Sequence, residues 1–313
     1  MHLKTEGTGL DSRQLSAVEA GLAAIGADDD GVTVVITDDF TGTVRTISDT
    51  PDYGTSRGAG VVGAKTISTD AGSIIVLNAP EFRRRDNVAD VERILAHEGG
   101  HVLINRRGET VTGRRHLAGS AEWRWILFCV GALALDEFRI ERALAELGYP
   151  APESCDPDHF EPTMFAVNAE ILDACVDPAS GRNPAHFAQR VVHTQDWLSK
   201  YLAYAAPFYP AGPPRSGAAP LARANWSDYI GDNHWNQRMA LYSTVPSART
   251  VVSDADLDAA LRKALDLEIA LLRLLGFEYT TERGGEGFWR RGTDQLWMRR
   301  ENRFRRAMDD DAA

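Results

Sequence analysis

Asn87 to Asn105 reads N-V-A-D-V-E-R-I-L-A-H-E-G-G-H-V-L-I-N. Val88, Val91, Ile94 and Leu95 fall at helical spacing, and Val102 with Ile104 resumes the apolar pattern, so the segment reads as a helix. His97 and His101 then point the same way, because positions i and i+4 differ by only about 40° around a helix axis. That is the spacing with which one helical turn offers two nitrogen ligands to a zinc ion. Glu98, between them, falls beside the open coordination position. With 8 His and 18 Glu in 313 residues, random placement supplies about 0.01 copies of H-E-x-x-H, so chance is a weak explanation of the pentapeptide. Gly99 and Gly100 sit in the helix interior, where each costs about 1 kcal/mol against Ala. A backbone packed close to a strand or a substrate would account for them.

Upstream of this helix the pattern is that of a small sheet. Residues 10–26 form an amphipathic helix through Leu10, Leu15, Val18, Leu22 and Ile25, stopped by Gly26. Gly31 to Thr37 is a strand with Val32, Val34 and Ile36 on one face, and Thr43 to Ser48 is expected as a second, short strand. The glycine-rich stretch 54–63 reads as a turn, and Lys65 to Asn78 as a β-hairpin around T-D-A-G. Downstream the chain is expected to be mostly helical, over about 120–147, 162–176, 185–205 and 254–275. Ser120 and Ser253 serve as N-caps, and Gly148 and Gly276 as stops. The fold class is therefore α+β: a small N-terminal sheet packed on the H-E-x-x-H helix, followed by a mostly helical C-terminal part. The expected organisation is a domain over 1–206 with its core at about 30–147, a Pro-rich linker or loop over 207–220, and a helical C-terminal region over 221–313.

Composition narrows the classes. The net charge of −11 argues against a general nucleic-acid binder. Three cysteines, in no C-x-x-C arrangement, give no disulfide framework and suit a reducing, cytoplasmic compartment. The longest apolar run, Trp125 to Leu135, is too short to span a bilayer, so no membrane role is expected. Only Lys4, Lys65, Lys200 and Lys263 are lysines among 34 basic residues, a bias that fits a GC-rich bacterial genome.

Two histidines do not complete a catalytic zinc site, and a third protein ligand is required. The extended pattern with a further histidine fails, since positions 104 and 107 are Ile and Arg. Glu137 is the favoured carboxylate. It follows the apolar run 125–135, and acids at the end of a buried helix are costly unless paired or metal-bound. Glu141, one turn on, is placed to orient a ligating histidine through its second ring nitrogen. Glu122 and His116 are the competing third ligands. Tyr201, Tyr204, His234 and Arg139 are candidates to stabilise an oxyanion. His234, in the loop-like D-N-H-W-N, is expected at the surface.

His97-Glu98-Gly99-Gly100-His101 followed by a helical glutamate resembles the gluzincin branch of the zincin metallopeptidases, over roughly residues 60–146. The resemblance implies a short sheet before the motif helix, whose edge strand, here within 64–78, pairs with a peptide or protein substrate. It also implies a third ligand from an E-x-x-x-D segment of a second helix. This chain has Glu141 where Asp is usual. The activity implied is hydrolysis of a peptide bond by zinc-activated water, with His97, His101 and Glu137 on the metal and Glu98 as general base. The alternatives are a non-catalytic zinc-binding regulatory protein and a nucleic-acid-associated one. The second rests on Arg283 to Arg306, where eight Arg against three acids interleave with Trp289, Trp297 and Phe304. Docking of that basic segment onto the acidic remainder of the chain is the favoured reading.

Overall fold

The computed structural model describes residues 1–54, 56–57, 60–84, 87–213, 231–282 and 285–310. The fold is α+β, with a four-stranded N-terminal sheet and a two-stranded sheet near the C-terminus among mostly helical elements. The backbone divides into two compact units. The first comprises Met1–Thr110, Arg139–Pro150 and Pro246–Val252; the second comprises Val111–Phe138, Ala151–Val245 and Ser253–Ala313.

In the first unit, β1 (His2–Glu6), β2 (Val32–Thr37), β5 (Ala64–Thr69) and β6 (Gly72–Asn78) form a sheet in the order β1-β2-β6-β5. β1, β2 and β6 run parallel, and β5 closes antiparallel on β6 with Ile67 opposite Ile74. α1 (Ser12–Ile25) and α4 (Val88–Arg106) pack together on one face. A capping box between Asp11 and Gln14 starts α1, and Gly26, at φ 83°, ends it. Val18, Leu22 and Ile25 of α1 share one core with Val32, Val34 and Ile36 of β2, and with Val91, Leu95 and Val102 of α4. Ile140 and Leu144, from the second half of α5 (Glu122–Glu146), complete it.

A second, smaller cluster joins Phe40, Val44, Ile67 and Val76. Its helix, α2 (Phe40–Ser48), corrects the strand expected over Thr43 to Ser48. The β-branched residues favoured a strand, but Asp39 accepts a hydrogen bond from the Gly42 amide, and Phe40 and Val44, one turn apart, bury together. Within the glycine-rich stretch, Ser56–Arg57 (β3) pairs with Gly60–Val61 (β4); residues 55, 58 and 59 lie outside the described residues. α3 (Ala79–Arg83) links β6 to the approach of α4.

In the second unit, α6 (Pro157–Val176), α7 (Pro178–Arg182), α8 (Pro184–Ala205), α9 (Gly231–Tyr242) and α10 (Asp254–Leu275) accompany the first half of α5. β7 (Phe277–Glu282) and β8 (Gly285–Arg290) form an antiparallel hairpin, followed by α11 (Asp294–Asp310). α6 begins five residues before the expected start because Asp156 caps it and Pro157 takes its first position, where a missing N–H costs nothing. The apolar run on α5 is not buried all round, since Ile126 and Leu133 are 39% and 43% exposed. Within the expected Pro-rich loop 207–220, residues 214–220 lie outside the described residues. The basic segment near the C-terminus is partly core: Trp297 and Arg300 are buried, and Phe304 stacks on Phe165 at 5.5 Å.

Candidate metal centre

α4 is started by Asn87, whose side chain accepts from the Ala89 amide, and it carries His97 and His101 one turn apart. Their rings meet edge to face with centroids 5.1 Å apart. Glu137 is presented by α5 and is buried, at 7% exposure. Ligand atoms of His97, His101 and Glu137 all lie within 4.8 Å of one another, so the three residues could hold a metal ion. Two imidazoles and one carboxylate are a donor set suited to a divalent metal with three protein ligands and an open position.

The surroundings orient this set. Nδ1 of His97 lies 2.9 Å from Oε1 of Glu141, which is buried at 1% exposure. With Nδ1–H donating to that carboxylate, Nε2 is the nitrogen that presents a lone pair. Glu141 is held in turn by Arg93, which pairs with its other oxygen and donates from Nε to the Pro150 carbonyl at 3.0 Å. Arg93 precedes His97 by one turn of α4, so a single face of the helix carries the ligand and the cation that fixes its orienting carboxylate.

Glu98 points differently. It is buried at 8% exposure, and its Oε2 accepts a hydrogen bond of 2.6 Å from the Thr66 hydroxyl on β5. The edge strand and the motif helix are thus tied through the residue between the two histidines.

The two glycines have a specific cause, which differs from the strand or substrate expected. A Cβ on Gly99 would fall 2.7 Å from Ile25 and 3.2 Å from Leu22, against α1. A Cβ on Gly100 would fall 2.8 Å from both Cγ1 and Cγ2 of Ile140, on the turn of α5 between Glu137 and Glu141. Both are helix-packing positions, and the second brings the backbone of α4 up to α5.

Neither Glu122 nor His116 joins this cluster. Glu122 has an exposed side chain that pairs with Arg115, and His116 lies exposed in the short 3₁₀ turn Arg115–Ala118. Arg139 is fully buried and donates to Glu109 at 2.7 Å and to the Pro246 carbonyl at 3.1 Å, which ties together three segments of the first unit. His234 is buried, not at the surface: it lies on α9 and accepts from Arg238 Nε at 2.9 Å. Its burial, and then the adjacent Arg238 charge, push its pKa down to about 2. Tyr201 is buried, with Phe160 at 6.1 Å, and burial raises its pKa; Tyr204 is half-buried on α8.

Thr66 and Arg93 are the neighbours that sequence reasoning missed. Arg93 carried a signal, standing four residues before His97 on the helical repeat. Thr66 carried none, since its partner is 32 residues away in sequence. Comparison with family models, with curated proteins and with solved structures returns no match. Among the described residues no helix is long and apolar enough to cross a membrane.

Proposed function

We propose that this protein is a zinc-dependent metallopeptidase, with His97, His101 and Glu137 as metal ligands and Glu98 as general base. The observation that carries the reading is the convergence within 4.8 Å of ligand atoms from His97 and His101 of α4 and Glu137 of α5, with Glu98 directly following the first histidine. Held there, zinc supplies Lewis acidity, which brings the pKa of water to about 7 and polarises a carbonyl. The residues of the chain do the rest. Glu141 and Arg93 fix the tautomer and ring plane of His97. Thr66 occupies Oε2 of Glu98, so Oε1 takes the proton from the attacking water and returns it to the leaving amine. β5 ends the sheet, and an extended peptide pairing with it would run beside Thr66 and Glu98.

The test joins metal analysis to an unbiased proteomic cleavage screen. Protein never exposed to chelator should carry about one zinc per chain, the stoichiometry of one three-ligand site. Glu98→Gln should keep the metal and lose cleavage, whereas His101→Ala should lose both. Metal-free protein, or full turnover in Glu98→Gln, would refute the reading. One zinc per chain with identical cleavage profiles for wild type and Glu98→Gln would assign the site to non-catalytic zinc binding.

A further inference from the structure

Of the three candidate ligands, Glu137 alone lies off α4, so its place depends on what holds α5. Phe138, the next residue, is buried, and its ring stacks on Tyr242 of α9 with centroids 4.1 Å apart and planes 6° from parallel. Arg139 follows, and its carbonyl accepts from the Ala248 amide at 2.8 Å. α5 is thus gripped over two consecutive residues directly beyond the ligand, by a stretch of chain that runs from Tyr242 to Ala248.

Tyr242 is itself held from behind. It is buried, and its hydroxyl lies 3.5 Å from Nη1 of Arg238, one turn earlier on α9. Nη2 of Arg238 donates to Oε1 of Glu268 on α10 at 2.6 Å and to the Ser199 hydroxyl on α8 at 3.0 Å. Oε2 of Glu268 accepts from Ser199 at 2.7 Å and from Gln195 at 2.8 Å. Arg238 and Glu268 are both buried. Moving Arg238 would leave Glu268 buried without its cation, which is strongly disfavoured, so the network holds α9, and Tyr242 with it, in one place.

Two flat rings in contact resist rotation of α5 about its axis. Turning the helix would drive Phe138 into Tyr242 or open a void between them. Glu137 shares that backbone one residue away, so its carboxylate moves with Phe138. We infer that Tyr242 is a positioning residue for the metal centre: through Phe138 it sets the place of Glu137, with the Arg238–Glu268 pair as its anchor. The inference rests on the metal reading above and extends it to residues outside the ligand set.

Chelator competition on the zinc-loaded full chain, and the visible bands of cobalt(II) bound in place of zinc, test it. Tyr242→Leu should weaken zinc binding by about tenfold or more, the scale of losing a group that orients a ligand, and should change the cobalt bands, which report ligand geometry. Tyr242→Phe, which keeps the ring, should bind as wild type does. Phe138→Leu should reproduce the loss, and the double variant should add nothing further. Phe160→Leu removes a buried ring on α6; it should lower the unfolding temperature and leave zinc affinity and cobalt bands unchanged. A wild type that binds no zinc would refute the metal centre and this inference with it. Zinc on wild type with full affinity in folded Tyr242→Leu or Phe138→Leu, additive losses in the double variant, or an equal loss in Phe160→Leu would overturn the inference alone.

Discussion

Gly100→Ala tests whether close approach of α4 and α5 is what the metal centre requires. In an open helix the substitution would stabilise by about 1 kcal/mol through propensity. Here the added methyl falls 2.8 Å from Cγ1 and Cγ2 of Ile140 and 3.2 Å from its Cβ. Carbon atoms prefer about 3.5–4.0 Å, so the overlap exceeds half an ångström against two carbons of one branch point and is smaller against the third. A β-branched residue in a helix has essentially one χ1 rotamer, which bars Ile140 from swinging away, so the helices must part. Setting overpacking at about 3 kcal/mol and subtracting the propensity gain leaves a net loss of about 2 kcal/mol. At 2–4 °C per kcal/mol, thermal unfolding should shift down by about 4–8 °C. Gly181→Ala is the control, since nothing lies within 4 Å of a Cβ there; it should be neutral or stabilising. Adding Ile140→Ala to Gly100→Ala should cost less than Ile140→Ala alone, a coupling that a double-mutant cycle reads directly. Because Ile140 lies on the turn between Glu137 and Glu141, zinc affinity in a chelator competition should fall as well. A Gly100→Ala protein as stable as wild type, with unchanged zinc affinity, would refute the reasoning.

Glu137→Ala should reduce zinc affinity far more than Glu122→Ala, and Glu141→Gln should reduce it by about 10–100-fold through loss of orientation at His97; chelator competition ranks the three, and the reverse order of the first two would move the ligand to Glu122. Arg139→Ala should destabilise by about 3 kcal/mol, the low end for a broken buried pair because Arg107 remains 3.0 Å from Glu109; a denaturant melt checks it, and a loss below 1 kcal/mol would mean the pair is not structural. His234 has its folded-state pKa depressed to about 2 against an unfolded value of 6.5. Its stabilisation is therefore fully present above pH 6.5 and is lost as pH falls below it, by about 2 kcal/mol at pH 5. His234→Gln, which keeps an acceptor for Arg238 without titrating, should flatten stability between pH 7 and 5; an unchanged slope would place the acid sensitivity elsewhere.

The sequence carried these features unevenly, for physical reasons. α10 was legible because cap, apolar period and stop agree locally at Ser253 and Gly276, whereas α1 was legible from its apolar period and Gly26, and α4 from its apolar period alone. The β5–β6 hairpin was legible because its turn and its strands are adjacent. β1 was not: all five of its residues are exposed, and it joins the sheet by backbone pairing to a strand about 30 residues away. α9 was missed because its buried positions include Arg238, which is stabilised by Glu268 at 2.6 Å, 30 residues later. In the candidate site, His97 and His101 followed from spacing, and Glu137 and Glu141 from two acids one turn apart at the end of an apolar run. Thr66 and the packing partners of Gly99 and Gly100 depend on tertiary neighbours that no local pattern encodes.

The mixed sheet also carries an expected order of assembly. β5 and β6 meet through the short turn at Asp70 and Ala71, a closure on the scale of microseconds, whereas each parallel pairing must first bridge a long intervening segment. The hairpin therefore has the lowest contact order in the sheet, and β1 has little apolar surface with which to hold its place early. The strand that touches Glu98 through Thr66 belongs to the part expected to form first, and β1 to the part expected to dock last. In hydrogen exchange, the amides of β1 should open at lower free energy than those of β6.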